Sequence, residues 1–551
     1  MLGIPLRLVW NLVANLVALL RMVPRLWQRA PEWVALELEG AIHERAPKRS
    51  WLRRARNWSL DGLGRVFDEV AKDARVRGVV IRVRGLELGW ARVDSLRELI
   101  AGLRARGKKV VAHLSGGGNA EWAVASACEE IFADESAPLH LIGMAAEAVF
   151  LRETLDRVGV RAELFAIGDY KSAAEMFTQK GMSAANREAT TAIVEQLFKR
   201  LVAATAEGRK LDPARAKEVL CGGPYVAQAA AQAGLVDGVL YFDELFEKLG
   251  KPMPVGTYAR RRRVKLRWRP LVRRRRAIAV VSLEGIITSG EGGALRRVIG
   301  ERSSCRALVA VRESPRVAGV VLHVDSRGGD ATASDRIWRD VLLLARKKPV
   351  VAFLGDVAAS GGYYIVAPAT RIFAQPGTLT GSIGVIGGKI VFEGLLGKVG
   401  VRAERITFGD AAAMQSASRG YSAEERARLD RELRAVYDQF VAKVADGRKA
   451  PREKIEEVAQ GRVWTGAAAR ERGLVDELGD LRKAVAACEA AARRREGERF
   501  DVVDVRPTPQ TGAPLLRRLL AAAPTFEIVP EATLLARARA ALLMPFSLRI
   551  K

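Results

Sequence analysis

The hexapeptide Val158-Gly159-Val160-Arg161-Ala162-Glu163 recurs unchanged as Val399-Gly400-Val401-Arg402-Ala403-Glu404, a displacement of 241 residues. At the same displacement Val76–Val80 (VRGVV) matches Val317–Val321 (VAGVV), and Ile131-Phe132-Ala133 matches Ile372-Phe373-Ala374. Leu38-Glu39-Gly40 echoes Leu283-Glu284-Gly285 near one end, and Gly234-Leu235-Val236-Asp237 echoes Gly473-Leu474-Val475-Asp476 near the other. Self-similarity at a fixed spacing marks a duplicated structural unit. The chain therefore reads as two tandem repeats, residues 31–250 and 277–496. Around them lie a leading segment (1–30), a linker (251–276) and a C-terminal extension (497–551).

Within each repeat, short β-branched runs alternate with helical segments. In the second copy Gly319–Val324 and Val350–Leu354 are the runs and Ala333–Arg346 is a helix, the pattern of parallel strands joined by helical crossovers. The expected fold class is α/β. A chain of 551 residues accommodates two to four domains, and 49% apolar residues with 51 Gly and 21 Pro exclude a mostly disordered or collagen-like polymer.

The charge balance is unusual. Ninety Lys+Arg against 63 Asp+Glu give +27, which favours an anionic partner such as nucleic acid or a lipid surface. Arg260–Arg276 holds eleven basic residues in seventeen, no acid, and Trp268. This block reads either as a solvated linker or as a stripe for anionic lipid, where each basic residue contributes about 1 kcal/mol. No zinc-finger or RRM-type motif accompanies it, so nucleic acid is the weaker alternative. In Leu8–Leu20 eleven of thirteen residues are apolar, short of the roughly 20 that span a bilayer. Arg7, Asn11 and Asn15 would form a polar stripe on a helix. No small-x-small cleavage site follows, so residues 1–30 are expected to be an uncleaved hydrophobic anchor or an interfacial helix.

The four cysteines (128, 221, 305 and 488) show no CxxC or Cys/His spacing and read as isolated buried thiols. Of the four histidines (43, 113, 140 and 323), none lies in HExxH, and His113 and His323 fall in strand-like runs. Neither a metal nor another cofactor is expected, and hydrolysis would have to proceed without histidine.

The informative chemistry lies in repeat two. The strand Val350–Leu354 leads into Gly355-Asp356-Val357-Ala358-Ala359-Ser360-Gly361-Gly362-Tyr363-Tyr364. A serine between small residues at a strand-to-helix turn is placed as a nucleophile, and the Gly361 N–H at the helix start can face an oxyanion. The neighbouring strand ends in Asp325-Ser326-Arg327-Gly328-Gly329, so a Gly328 or Gly329 N–H could be the second donor. Repeat one has Gly118-Asn119-Ala120-Glu121 in place of Ala359-Ser360-Gly361-Gly362, and Glu87-Leu88 in place of Gly328-Gly329. Conversely it carries Gly168-Asp169-Tyr170-Lys171-Ser172-Ala173, where repeat two has Gly409-Asp410-Ala411-Ala412-Ala413. One copy offers a lysine without a serine, the other a serine without a lysine. A divided Ser-Lys site follows, provided that burial lowers the lysine from its ordinary pKa of about 10.4 so that it can accept a proton.

The tandem copies, Ala359–Tyr364 (ASGGYY), Gly168–Ala173 (GDYKSA) and Thr380–Val385 (TGSIGV) resemble the long, double-repeat form of the signal peptide peptidase A (protease IV) family over residues 31–496. The resemblance implies two Clp/crotonase-like repeats forming a serine endopeptidase of the bacterial inner membrane, its catalytic part periplasmic. Its substrates would be released signal peptides and other unfolded apolar peptides. It implies Ser360 as nucleophile, Lys171 as general base, Ser382 as the residue that orients the lysine, and Gly361 and Gly329 as oxyanion donors. A homo-tetrameric ring is also implied. Arg327 departs from the family's usual proline, which removes a fixed φ and puts charge near the substrate path. The alternative readings are a crotonase-like enzyme acting on CoA thioesters and a non-catalytic membrane scaffold. Leu515–Lys551, rich in Leu, Ala and Arg, reads as a surface-binding amphipathic helix or an ordinary packing helix.

Overall fold

A computed structural model describes residues 3–20, 31–46, 58–262, 275–292, 298–508, 540–543 and 549–550. The chain divides into two compact units, Met1–Met144 with Leu197–Arg275, and Ala145–Gln196 with Arg276–Lys551. The boundary does not coincide with the sequence repeats, because Ala145–Gln196 belongs to repeat one by sequence and to the second unit by packing.

Strands of the first unit are β1 (Trp33–Gly40), β2 (Gly78–Leu86), β3 (Lys109–Leu114) and β4 (Glu130–Ala133). The short β5 (Ala146–Glu147) and β6 (Arg161–Ile167) follow in the second unit, and β7 (Gly238–Val239) and β8 (Met253–Pro254) return to the first. Here the sheet order is β7-β4-β3-β2-β1-β8, with every neighbouring pair parallel. Val79, Val80 and Ile81 are fully buried in sequence order, which requires cover on both faces of the sheet, as parallel sheets have. Helices Leu60–Lys72 and Trp90–Arg104 make the crossovers, the first capped by Ser59 Oγ, which accepts from the Gly62 N–H at 3.1 Å.

Among the described residues the second unit contains two large sheets and a two-stranded one. The larger uses β9 (Ala277–Glu284), β12 (Val317–Ser326), β14 (Val350–Ala359), β15 (Arg371–Ala374), β16 (Leu379–Gly381), β18 (Val463–Thr465), β19 (Glu477–Leu478) and β20 (Asp501–Val505). Its order is β18-β16-β14-β12-β9-β20, with β15 on β14 and β19 on β15, and all pairs are parallel except β16–β18. The smaller sheet runs β11-β10-β13-β21-β17-β6, from β10 (Ile286–Thr288), β11 (Val298–Gly300), β13 (Gly328–Asp330), β17 (Val385–Val391) and β21 (Ala540–Leu543). The last strand, β22 (Arg549–Ile550), pairs with β5. Helix Ala423–Arg448 packs Leu429, Leu433, Phe440, Val441 and Val444 into the core; recurrence every three or four residues puts them on one face.

Two features of this framework place side chains. Strands β12 and β14 are parallel neighbours, with Val324 opposite Leu354 and Ser326 opposite Ala358, so Gly328-Gly329 and Ser360 emerge at the same sheet edge. Seven residues of β6 pair antiparallel with β17, from Arg161↔Val391 to Ile167↔Val385, tying the loop after β6 to the segment before β17. The duplicated hexapeptide therefore has two fates. Its first copy opens a paired strand, whereas Arg402–Glu404 has no regular secondary structure and is exposed.

Several expectations need restating. Gly3–Leu20 is a helix, but no helix among the described residues is long and apolar enough to cross a membrane. Most of the basic block (263–274) lies outside the described residues, as does 509–539 of the extension. The cysteines are not uniformly buried: Cys128 and Cys488 are, but Cys221 is exposed at the end of helix Pro213–Cys221. It is the last helical residue, followed by Gly222 and Gly223, and does not face the helix's buried Ala216, Val219 and Leu220.

Gly388 sits in β17 at φ 144°, and a Cβ there would lie 2.1 Å from the Glu163 carbonyl oxygen on β6. Gly388→Ala is expected to force the β6–β17 ladder apart at a cost of about 2–4 kcal/mol. Urea titration of wild type and variant measures it, and an unchanged midpoint would contradict the ladder.

Candidate active site

Ser360 follows the last residue of β14 and precedes the short helix Gly361–Tyr364. Its backbone lies at φ 54°, ψ −118°, a conformation that L-residues avoid. Such strain persists only where surrounding bonds over-determine it. Here the Ser360 N–H donates to the Gly381 carbonyl at 2.7 Å and the Ser360 carbonyl accepts from the Tyr364 N–H at 2.8 Å. Ser382 has φ 53°, and its N–H donates to the Arg462 carbonyl at 2.7 Å. Both serines are completely buried.

Lys171 arrives from the loop after β6. The Tyr170 N–H donates to the Gln460 carbonyl at 2.8 Å, and Gly461 packs so closely that a Cβ on it would lie 2.6 Å from Lys171 Cα. The buried Nζ lies 2.7 Å from Ser360 Oγ, 2.8 Å from the Ser382 carbonyl oxygen and 3.0 Å from Ser382 Oγ. Burial pushes the lysine well below its ordinary pKa. The structure thus brings together the three side chains singled out in the sequence.

The glycines lie beside them. A Cβ built on Gly361 would stand 3.2 Å from the Gly329 nitrogen and 2.7 Å from Ser334 Oγ, so the chain at 328–329 passes directly by the helix start. Gly329 must be glycine, because at φ 156° its Cβ would fall 2.0 Å from the Ile287 carbonyl oxygen. The Gly328 N–H donates to Ser326 Oγ at 3.1 Å. Arg327 is half-buried.

Three supporting features are not legible in the sequence. The first is the turn Gln460–Arg462, whose carbonyls hold Tyr170 and Ser382; its one signal is Gly461 ahead of the strand-like Val463-Trp464-Thr465. Arg462 also pairs with Glu188 at 2.7 Å, and Glu188 accepts from the Tyr170 hydroxyl at 3.0 Å. The second is a brace under the helix Gly361–Tyr364: the Tyr363 hydroxyl donates to the Leu474 carbonyl, and the Tyr364 hydroxyl donates to Asp335, which pairs with Lys443. The third is β21. It lies between β13 and β17, antiparallel to both, with Leu542 opposite Gly329 and Ala541 opposite Ile386. Next to Tyr170 and Ser172 is a pocket whose apolar lining includes Phe150, Met176, Met182, Ile193, Leu379 and Val463.

The matching positions of the first unit hold other residues. Asn119 stands at the position of Ser360 and donates to the Gly143 carbonyl at 2.9 Å. Glu121, at the position of Gly362, is buried and accepts from the N–H groups of Leu86 (2.7 Å) and Gly118 (2.9 Å). Among the described residues no cluster of His, Cys, Asp and Glu could hold a metal ion.

Comparison with known proteins gives a consistent picture. The profile of Peptidase family S49 matches residues 102–255 and again 343–494, once in each repeat. "Serine protease SPPA, chloroplastic" of Arabidopsis thaliana is 32% identical over 511 residues, 89% of this chain and 73% of that protein. "Protease 4" of Salmonella typhi is 30% identical over 455 residues, 80% and 73% of the two chains. A mutant ClpP1 from Listeria monocytogenes aligns to 37% of this chain and 94% of its own at 15% identity, with a TM-score of 0.25.

The buried amine has a measurable cost. Unfolded, Lys171 binds a proton below about pH 10.4, whereas folded it stays neutral to lower pH, so it erodes stability as pH falls through that window. Lys171→Met should therefore gain thermal midpoint over wild type, with a difference that grows on acidification and levels off below the folded pKa. Calorimetry across pH reads this, and a pH-independent difference would contradict it.

Proposed function

The chain belongs to peptidase family S49 and is a serine peptidase, and from that premise we propose a membrane-associated endopeptidase that uses a Ser360–Lys171 dyad. It degrades released signal peptides and other unfolded apolar peptides. The observation that carries this reading is the 2.7 Å approach of a buried Lys171 Nζ to Ser360 Oγ.

A neutral amine has two N–H bonds and one lone pair. The Ser382 carbonyl oxygen and Ser382 Oγ take the two N–H donors, which turns the lone pair towards the Ser360 hydroxyl. Ser360 Oγ then attacks the scissile carbonyl as its proton passes to Lys171. The resulting oxyanion lies against the N–H groups of Gly361 and Gly329; Gly328 is the poorer candidate because its N–H is committed to Ser326 Oγ. The Lys171 ammonium protonates the leaving amine, and the regenerated amine draws a proton from the water that hydrolyses the acyl-enzyme. Ser382 acts by orienting the lysine.

The substrate reading rests on the cleft between β13 and β17. Each presents a strand edge to a gap one strand wide, which suits an extended peptide held by main-chain hydrogen bonds, with tolerance for side chains. The protein's own β21 lies in that gap. The adjoining apolar pocket favours apolar residues in the peptide. We read each repeat as a Clp/crotonase-like unit, and the assembly as a homo-tetramer at the bacterial inner membrane with its catalytic part periplasmic. Helix Gly3–Leu20 exposes Val9, Trp10, Leu12, Val13 and Leu16, which suits an interfacial helix better than a span. A CoA-thioester enzyme would leave the desolvated Lys171 without a task, and a scaffold would leave the strain at Ser360 unexplained.

Ser360→Ala is expected to abolish hydrolysis of an apolar peptide reporter, and Lys171→Ala to lower it by at least about 10²-fold, with circular dichroism unchanged. Retained activity in either variant would refute the dyad. Removing Ala540–Lys551 should lower KM for the same reporter several-fold with kcat little changed. An unchanged KM would show that β21 does not compete with substrate.

A further inference from the structure

Lysine carries its amine on a long flexible stem, so where the amine sits depends on how firmly the backbone at its root is held. Lys171 itself is in no helix or strand. The turn Gln460–Arg462 holds it instead. On one side the Gln460 carbonyl takes the Tyr170 N–H, and a Cβ on Gly168 would fall 2.5 Å from the Gln460 carbonyl carbon. On the other side the Gly461 N–H donates to the Ile383 carbonyl at 2.7 Å, and the Arg462 carbonyl takes the Ser382 N–H. The lysine loop and the loop of the serine that accepts its N–H bonds are therefore joined through three residues.

The Arg462 side chain adds a tie that its backbone cannot supply. Its guanidinium carbon lies 4.6 Å from the centroid of the Tyr170 ring and 4.6 Å from that of Trp464. Nη1 pairs with Glu188 Oε1 at 2.7 Å, and Glu188 Oε2 accepts from the Tyr170 hydroxyl at 3.0 Å. The arginine thus meets Tyr170 twice, against its ring and through a shared carboxylate. Both anchors are themselves held. The Trp464 indole N–H donates to the Val458 carbonyl at 2.9 Å, and helix Ala184–Arg209, which carries Glu188, is tied to β18 by Thr465 Oγ1 donating to Gln196 Oε1 at 2.6 Å. The Glu188 side chain is 55% exposed, and an ion pair this open adds little to global stability. Its consequence lies in where it is, one residue from Lys171.

We propose that Arg462 is a positioning residue for the Ser360–Lys171 dyad: its guanidinium, held by Tyr170, Trp464 and Glu188, fixes the backbone from which Lys171 reaches Ser360 and closes the lysine cavity to water. This inference rests on the dyad proposed above. A planar guanidinium pairs with a carboxylate while lying against aromatic rings, which a compact ammonium does not, so lysine is a poor substitute. Arg462 does not line the apolar pocket beside Tyr170, so its role is in turnover and not in holding the peptide.

Kinetics of the full chain on the apolar peptide reporter test it. Arg462→Met should lower kcat about 10-fold or more with KM within about twofold. Looser seating admits water to Lys171 and raises the amine towards its ordinary pKa, so the acidic limb of kcat/KM should move to higher pH by about half a unit or more. Arg462→Lys should fall between wild type and Arg462→Met. Glu188→Ala should give the same changes in weaker form, and the double variant should be no worse than Arg462→Met alone, because the two residues act as one unit. If Arg462→Met fails to fold, Glu188→Ala decides. Wild-type kcat with an unmoved limb would overturn the proposal, and so would a lower rate with an unmoved limb, since a smaller folded fraction scales activity equally at every pH. Ser360→Ala and Lys171→Ala run alongside: activity in either refutes the dyad and this inference with it, whereas two inactive variants beside an unaltered Arg462→Met overturn the positioning role alone.

Discussion

An ammonium group does not stay ionised among apolar atoms without a counter-charge, and Lys171 is buried beside two serines. That constraint organises the second unit. The cavity must be dry, so the lysine loop is sealed by the turn at Gln460–Arg462, with Gly461 drawn against the lysine backbone. Its hydrogen bonds must come from neutral acceptors, which Ser382 supplies from its carbonyl and its hydroxyl. The serine must be delivered to a point fixed by the lysine, so Ser360 accepts a left-handed backbone rather than a relaxed one.

The duplicated ancestor has resolved this demand asymmetrically. In the first unit the place of Gly362 is taken by Glu121, whose carboxylate satisfies the backbone N–H groups of Leu86 and Gly118. At the 241-residue displacement those two N–H groups correspond to Arg327 and Ala359, the residues just before Gly328 and Ser360. The buried Glu121 carboxylate thus partners backbone donors from within, as buried donors require.

Much of this was legible in the amino-acid sequence because duplication acts as an internal control. Position-by-position comparison showed that Ser360 and Lys171 are complementary losses, and the strand-to-turn pattern placed the glycines near the serine. Three things stayed hidden for a physical reason. Pairing of β6 with β17 depends on contacts more than 200 residues apart, which no local periodicity encodes, and the identical hexapeptide at Arg402–Glu404 is not a strand. The Gln460–Arg462 turn acts through backbone carbonyls, which every residue has. Cys221 was expected to be buried because small thiols usually are, but its position at a helix end next to two glycines decided otherwise.

Strand β21 has one further consequence. A segment tethered to the same chain meets its groove at an effective concentration on the order of millimolar, however dilute the protein is. Dilution therefore cannot empty the cleft, and a free peptide displaces the tether only by exceeding that concentration or by binding more tightly. On the proposed reading of this cleft as the substrate site, the threshold is set by chain connectivity, so that a scarce flexible segment is spared while a locally crowded one is drawn in.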